Sequence, residues 1–181
     1  MSNASRSRAE LREDVARRLR SVLLDPADAA ALDVHGRIDA AVLVPLYVDA
    51  DGELHLVFTR RRADLRLTAL REAQEEIGLP GRAVELVGAL QPTPTIATNY
   101  AVYPFVGLIE PGHAWEPSAA EVAEVLEFPL AALRSGHARR RLLRRGVPFR
   151  TDAYVVGDHL IWGATARMLG DLLERVPEDL L

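Results

Sequence analysis

The sequence predicts an α/β protein of the α+β kind, a mixed β-sheet sandwiched between helices. Three observations carry this expectation. Apolar residues recur at helical spacing near both ends and once in the middle of the chain; the stretches between them read as short strands; and Gly, Pro and Asp punctuate the joins. The order of helix, strands around one central helix, more strands and a final helix suits a sheet covered on both faces.

From Ala9 to Leu24, Leu11, Val15, Leu19, Val22 and Leu23 line one face of an amphipathic helix, which Asp25-Pro26 stops. Ala40 to Val48 is a nearly continuous apolar run. Asp49-Ala50-Asp51-Gly52 then supplies turn chemistry, and Leu54 to Thr59 alternates, so the two segments read as a hairpin. Past Arg60-Arg61-Arg62 the period changes, with Leu67, Leu70, Ala73 and Ile77 on one helical face and Gly78 where that helix ends. Val84 to Leu90 and Ala101 to Ile109 read as strands joined by a Pro- and Thr-rich loop over 91–100. Val122 to Phe128 is another strand, followed after Pro129 by a short helix to Leu133. Arg139, Arg140, Arg141, Arg144 and Arg145 form a basic stretch, read as a solvated helix or loop, with ligand contact as the alternative. Tyr154–Val156 and His159–Trp162 flank Gly157-Asp158 as a hairpin, and Ala164 to Val176 is helical.

Composition limits the chemistry. All 22 basic side chains are arginine, and the 181 residues contain neither lysine nor cysteine. Schiff-base and P-loop lysines, thiol nucleophiles and Cys-ligated zinc are therefore excluded. Codon bias in a GC-rich genome accounts for the missing lysine. The length predicts one domain over 1–181, with an N-terminal helix at about 9–24; residues 1–8, with Ser2-Asn3-Ala4 resembling an expression-tag remnant, are read as tag or flexible. A net charge of −4 argues against nucleic acid as a partner, and no apolar run is long enough to span a membrane, so neither is expected. The cytoplasm is the expected location. The five histidines, His35, His55, His113, His137 and His159, show no metal-ligand spacing, and Trp115 and Trp162 are read as core or interface rather than base-stacking residues.

Arg71-Glu72-Ala73-Gln74-Glu75-Glu76-Ile77-Gly78-Leu79 is the most informative segment. On a helix Glu72, Glu75 and Glu76 stand at i, i+3 and i+4, a like-charge arrangement that costs roughly 0.2–0.5 kcal/mol per pair. A hard divalent ion such as Mg²⁺ or Mn²⁺, which takes oxygen ligands, offsets that repulsion. Arg71 is placed to hold a carboxylate through its planar fork. On the residues alone, a solvated Glu-rich helix face is the competing reading.

This segment resembles the second half of the Nudix box, G-x5-E-x7-R-E-U-x-E-E-x-G-U, with Ala73 in place of the first aliphatic residue. Leu56-Val57-Phe58-Thr59-Arg60-Arg61 with Ala63-Asp64-Leu65-Arg66, Gly88-Ala89-Leu90, Tyr103-Pro104-Phe105-Val106-Gly107, Glu121 to Val125 and Ile161-Trp162-Gly163-Ala164-Thr165-Ala166-Arg167 are similar to the coenzyme A pyrophosphatase branch of that family. The resemblance, from about Val42 to Leu173, implies a Nudix-type α/β/α sandwich. It also implies metal-dependent hydrolysis of a nucleoside diphosphate derivative, coenzyme A giving 3',5'-ADP and 4'-phosphopantetheine. It makes Arg71, Glu72, Glu75 and Glu76 the catalytic group, with the three carboxylates holding Mg²⁺ or Mn²⁺. Glu121 and Glu124 become candidates for a further acid, and Arg60, Arg62 and Arg66 for substrate phosphates. A small-molecule nucleotide is then the partner, and a homodimer is compatible with the family.

The box is incomplete. Its first Glu and its Gly would fall at positions 63 and 57, which are Ala63 and Val57, and no glycine lies between Gly52 and Gly78. Both flanks stay in family register up to Arg66 and Leu67, as though roughly 15–20 residues, the size of a functional loop, had been excised there. Two accounts stay open: a genuine deletion, or a mobile loop of the protein absent from these 181 residues. An Arg66–Leu67 Cα step far above about 3.8 Å would mark the second. Hydrolysis of ADP-ribose or a nucleotide sugar, or a catalytically silent nucleotide-binding module, are the alternative functions.

Overall fold

The structure, a computed structural model, describes residues 7–36, 38–61, 69–95, 99–120, 122–144 and 146–181, the side chains of 59–61, 69–72 and 144 excepted. Helix α1 (Arg8–Val22) begins one residue before the periodicity suggests. Ser7 caps it: its hydroxyl accepts from Glu10 N–H while the Glu10 carboxylate accepts from Ser7 N–H, a capping box. Ser7 and Arg8 are thus part of the helix's first turn and its cap. Helix α1 ends at Val22, short of the expected stop, and Asp25-Pro26 instead starts a short helix the sequence reading missed, α2 (Pro26–Ala30), with Asp25 as N-cap and Pro26 in the first turn.

Strands β1 (Ile38–Val48) and β2 (Leu54–Arg61) form the expected hairpin, β3 (Glu85–Ala89) and β5 (Tyr100–Leu108) follow, and β6 (Val122–Pro129) closes the sheet in the order β3-β5-β1-β2-β6. A two-residue strand, β4 (Thr93–Pro94), pairs with β5 inside what reads as a loop. The sheet is mixed: β1 runs parallel to β5 and antiparallel to β2. Alternation along β1 and β2 splits the core in two. Leu46, Val48, Leu54 and Leu56 pack with α1 and with α5 (Ala164–Arg175) on one face, while Tyr47 and Val57 pack on the other with Ala73 and Ile77 of α3 (Ala69–Ile77). The expected sandwich is therefore present, with one apolar cluster on each side of the sheet. Gly88 allows the chain after α1 to lie close: a Cβ there would come 2.4 Å from Leu23 Cβ, beside the Leu24–Ala89 bridge.

Beyond α4 (Leu130–Ser135), β7 (His137–Arg144), β8 (Val147–Val156) and β9 (His159–Trp162) make a separate three-stranded antiparallel sheet. From Arg139 to Arg144 the basic stretch is accordingly a strand, correcting the helix-or-loop reading. Of the described helices, none is long and apolar enough to cross a membrane.

One irregularity positions the site. β1 pairs with β2 only from Leu46↔Leu56 to Val48↔Leu54; beyond that β1 continues along β5 and β2 along β6. The reason is legible at Pro45. The Leu46 carbonyl accepts Ile109 N–H at 2.8 Å and so faces β5, which turns the neighbouring Pro45 nitrogen toward β2, where it has no hydrogen to give. The ladder stops there, and the two strands part.

Candidate functional site

A cavity of about 240 Å³ occupies the gap between the parting strands. Leu43, Val44 and Phe58 are among its walls, α3 closes one side and Met168 and Leu172 of α5 the other. The lining is apolar apart from Glu76 and Thr165. Glu76 is 7% exposed, and among the described residues it is the buried charged group.

Helix α3 is held at its C-terminus. Gly78 takes φ +72°, a left-handed conformation that lets Leu79 N–H reach back to the Ala73 carbonyl at 3.1 Å. The segment leading into β6 bonds the carbonyls of the last turn, Glu116 N–H to Ile77 O at 3.1 Å and Ser118 N–H to Glu76 O at 2.7 Å. These contacts fix Glu76 against the sheet and lay the chain just before β6 beside the end of the Glu-rich helix.

Of the residues singled out from sequence, Arg71, Glu72, Glu75 and Glu76 all lie on α3. Glu76 is buried at the cavity and Glu75 is exposed, so the carboxylates do not share one environment. The side chains of Arg71, Glu72 and Arg60 are outside those described, as are Arg62, Arg66 and Glu121 entirely, and with them the Arg66–Leu67 junction. Glu124 sits at a bulge in β6, opposite Arg60 in register. Val122 and Val125 both pack on the α3 side, and Glu124 is exposed to solvent.

Sequence reasoning missed an acid on the same strand. Glu127 accepts from Tyr47 Oη at 2.5 Å and from Trp115 Nε1. Burial, then the bond to Glu127, push the Tyr47 hydroxyl well above its ordinary pKa. No sequence signal links these residues, which lie 80 and 12 positions apart.

A second group was also not anticipated: ligand atoms of Asp49, Glu53 and His55 lie within 4.8 Å of one another at the β1–β2 turn. His55 Nε2 is 2.9 Å from Asp49 Oδ2, and its ring stacks on Tyr47 at 4.9 Å. Its buried Nδ1 has no partner among the described residues, whereas a ligating imidazole normally donates its second N–H to an acceptor. The geometry thus suits the turn rather than an ion. Burial opposes the charge on Asp49, yet the N–H groups of Glu53 and Asp51 and the His55 ring outweigh it and hold the carboxyl below its ordinary value of 3.8. A depressed carboxylate stabilises the fold above its unfolded pKa and loses that contribution as pH falls through the folded one. Asp49→Ala is expected to cost about 1 kcal/mol at pH 7, and the difference from wild type should vanish toward pH 2. Urea melts across that range check this; a constant difference would assign the effect to packing.

The chain is 36% identical over 160 positions to an uncharacterized Nudix hydrolase, NudL, of Photorhabdus laumondii subsp. laumondii, a match that covers 76% of this chain and 84% of that protein. The chain belongs to the Nudix hydrolase family. NudL proteins of Salmonella paratyphi B and Salmonella newport are 41% identical over 112 residues, 61% of this chain but only 58% of their own length. Among solved structures, a C. elegans Ap4A hydrolase binary complex (13% identity, TM-score 0.44) matches 52% of this Nudix chain and 81% of its own. A MutT/nudix family protein from Enterococcus faecalis (14%, TM-score 0.45) matches 93% and 74%. No family model matches the chain.

Proposed function

We propose that this Nudix chain hydrolyses the diphosphate of a nucleoside diphosphate derivative, and that its substrate is coenzyme A, giving 3',5'-ADP and 4'-phosphopantetheine. The observation that carries the reading is Glu76: a carboxylate buried at a cavity between parting strands, on a helix bearing Arg71, Glu72, Glu75 and Glu76 in the family's spacing. An all-oxygen donor set of carboxylates fits a hard ion such as Mg²⁺ or Mn²⁺. Glu72, Glu75 and Glu76 would hold Mg²⁺ or Mn²⁺, which when bound supplies charge neutralisation and a water of lowered pKa.

The remaining work falls to the protein's own groups. Arg71 orients the carboxylates. Arg60, Arg62 and Arg66, which precede α3, meet substrate phosphates through bidentate guanidinium contacts. Glu121 follows the segment that Ser118 ties to Glu76 and is favoured as the proton acceptor over Glu124, which is exposed to solvent.

A second reading, a catalytically silent nucleotide-binding module, has its own support. The box's first Glu and its Gly are absent, and 76% of 181 residues is about 138, so of the 160 positions aligned with the Photorhabdus relative about 22 face no residue here. Assaying the purified chain with Mg²⁺ against CoA, ADP-ribose and NADH separates the readings. Turnover of CoA is the expected result. Turnover of another substrate with CoA inert would overturn the CoA assignment, and ligand binding without any turnover would establish the silent module.

A further inference from the structure

The two most exposed large apolar residues among those described, Leu143 at 75% and Val147 at 65%, stand on either side of one turn, at the tip of the β7–β8 ribbon. The twelve positions from 139 to 150 hold six arginines and no acid, in a chain whose net charge is −4. Arg139, Arg140, Arg141 and Arg150 are exposed, and none forms an ion pair or hydrogen bond with a described residue. Arginines elsewhere are mostly engaged, as Arg12 is with Glu85 and Arg175 with Asp171. Arg141 and Arg150 stand directly opposite each other in register, a like-charge pairing that disfavours the ribbon unless an anion lies nearby. Behind the tip, Phe149 and Trp162 make an aromatic pair, ring centroids 6.0 Å apart, with Trp162 exposed.

We propose that the β7–β8 tip docks this protein on an anionic lipid bilayer. The apolar tip enters the headgroup region, the arginines meet lipid phosphates, and the aromatic pair lies at the boundary. The dimensions agree. From the Arg144–Val147 pair back to Arg141–Arg150 is three residues, roughly 10 Å at the rise of a strand, comparable with the roughly 5–10 Å to which interfacial segments bury. Single-stranded nucleic acid would use the arginines and the aromatic pair but has no role for two solvent-facing aliphatic side chains at the tip, and so is the less suited polyanion. The contact needs no membrane-crossing helix and is independent of the hydrolytic reading.

The test is co-sedimentation of the full chain with phosphatidylcholine vesicles, with and without phosphatidylglycerol. Anisotropy of a fluorescent single-stranded oligonucleotide and light-scattering mass are measured in the same buffer. Binding to the anionic vesicles at least tenfold tighter than to neutral ones is expected. Leu143→Asp with Val147→Asp, at exposed positions, should lower it at least tenfold with circular dichroism unchanged, and Arg141→Gln with Arg150→Gln should lower it independently. Any of four outcomes overturns the proposal: no preference for anionic vesicles, tip variants that bind as wild type, oligonucleotide bound in preference to vesicles, or a tip substitution that only converts a dimer to a monomer.

Discussion

Glu76→Gln is expected to lower turnover by about three orders of magnitude while leaving the fold intact. The side chain is 7% exposed, and the substitution keeps its shape while removing the charge that would hold the ion. Loss of several kcal/mol of charge stabilisation in the transition state corresponds to a factor of this size. A second readout separates ligation from packing: Mg²⁺ should raise the Tm of wild type and not of the variant. An unchanged rate, or an equal Mg²⁺ response in both proteins, would refute the assignment.

Leu46→Ala is expected to have the largest effect on stability. Leu46 is fully buried, faces Leu108 of β5 and Leu56 of β2 in register, and is the last residue of β1 flanked by strands on both sides before the sheet parts. Truncation at a site that cannot collapse costs about 3–4 kcal/mol, a large share of the roughly 5–15 kcal/mol that holds a domain together. A fall in Tm of about 10 °C follows for a protein of this size. Leu143→Ala is the control: exposed at the ribbon tip, it should change stability by no more than about 0.5 kcal/mol. A Leu46→Ala cost under 1 kcal/mol would mean that the cavity beside it absorbs the lost volume.

What was legible in the sequence depended on whether an element hides one face. The helices α1, α3 and α5 and the β1–β2 hairpin each bury a stripe or an alternate set, so their periods stood out. The ribbon of β7 and β8 presents both faces to solvent near its tip, which removes the period-two signal and left Arg139 to Arg144 readable only as charge. The pair Asp25-Pro26 was read as a stop, although Asp and Pro in that order also start a helix. At the site, Glu76 was found because its spacing is local. Its burial was not, since that depends on where β1 and β2 separate, and the only sequence trace of the separation is one proline inside a strand. Glu127 was invisible because its partners meet it through the register of β2 with β6 and the path of the segment carrying Trp115.

The way α3 is anchored bears on what the length of the connection leading into it costs. Strand β2 is held by β6, and the far end of α3 by the chain around Glu116 and Ser118, so neither depends on the length of the connection between them. Chain-closure entropy grows only as the logarithm of length, with each doubling adding about 0.6 kcal/mol. Seven residues separate Arg61 from Ala69, and inserting about 22 more would make two doublings, a change of only about 1 kcal/mol. A chain with the additional segment and a chain without it would therefore fold to the same sheet at nearly the same stability. Selection could then act on that connection for chemistry alone, with folding almost indifferent to the result.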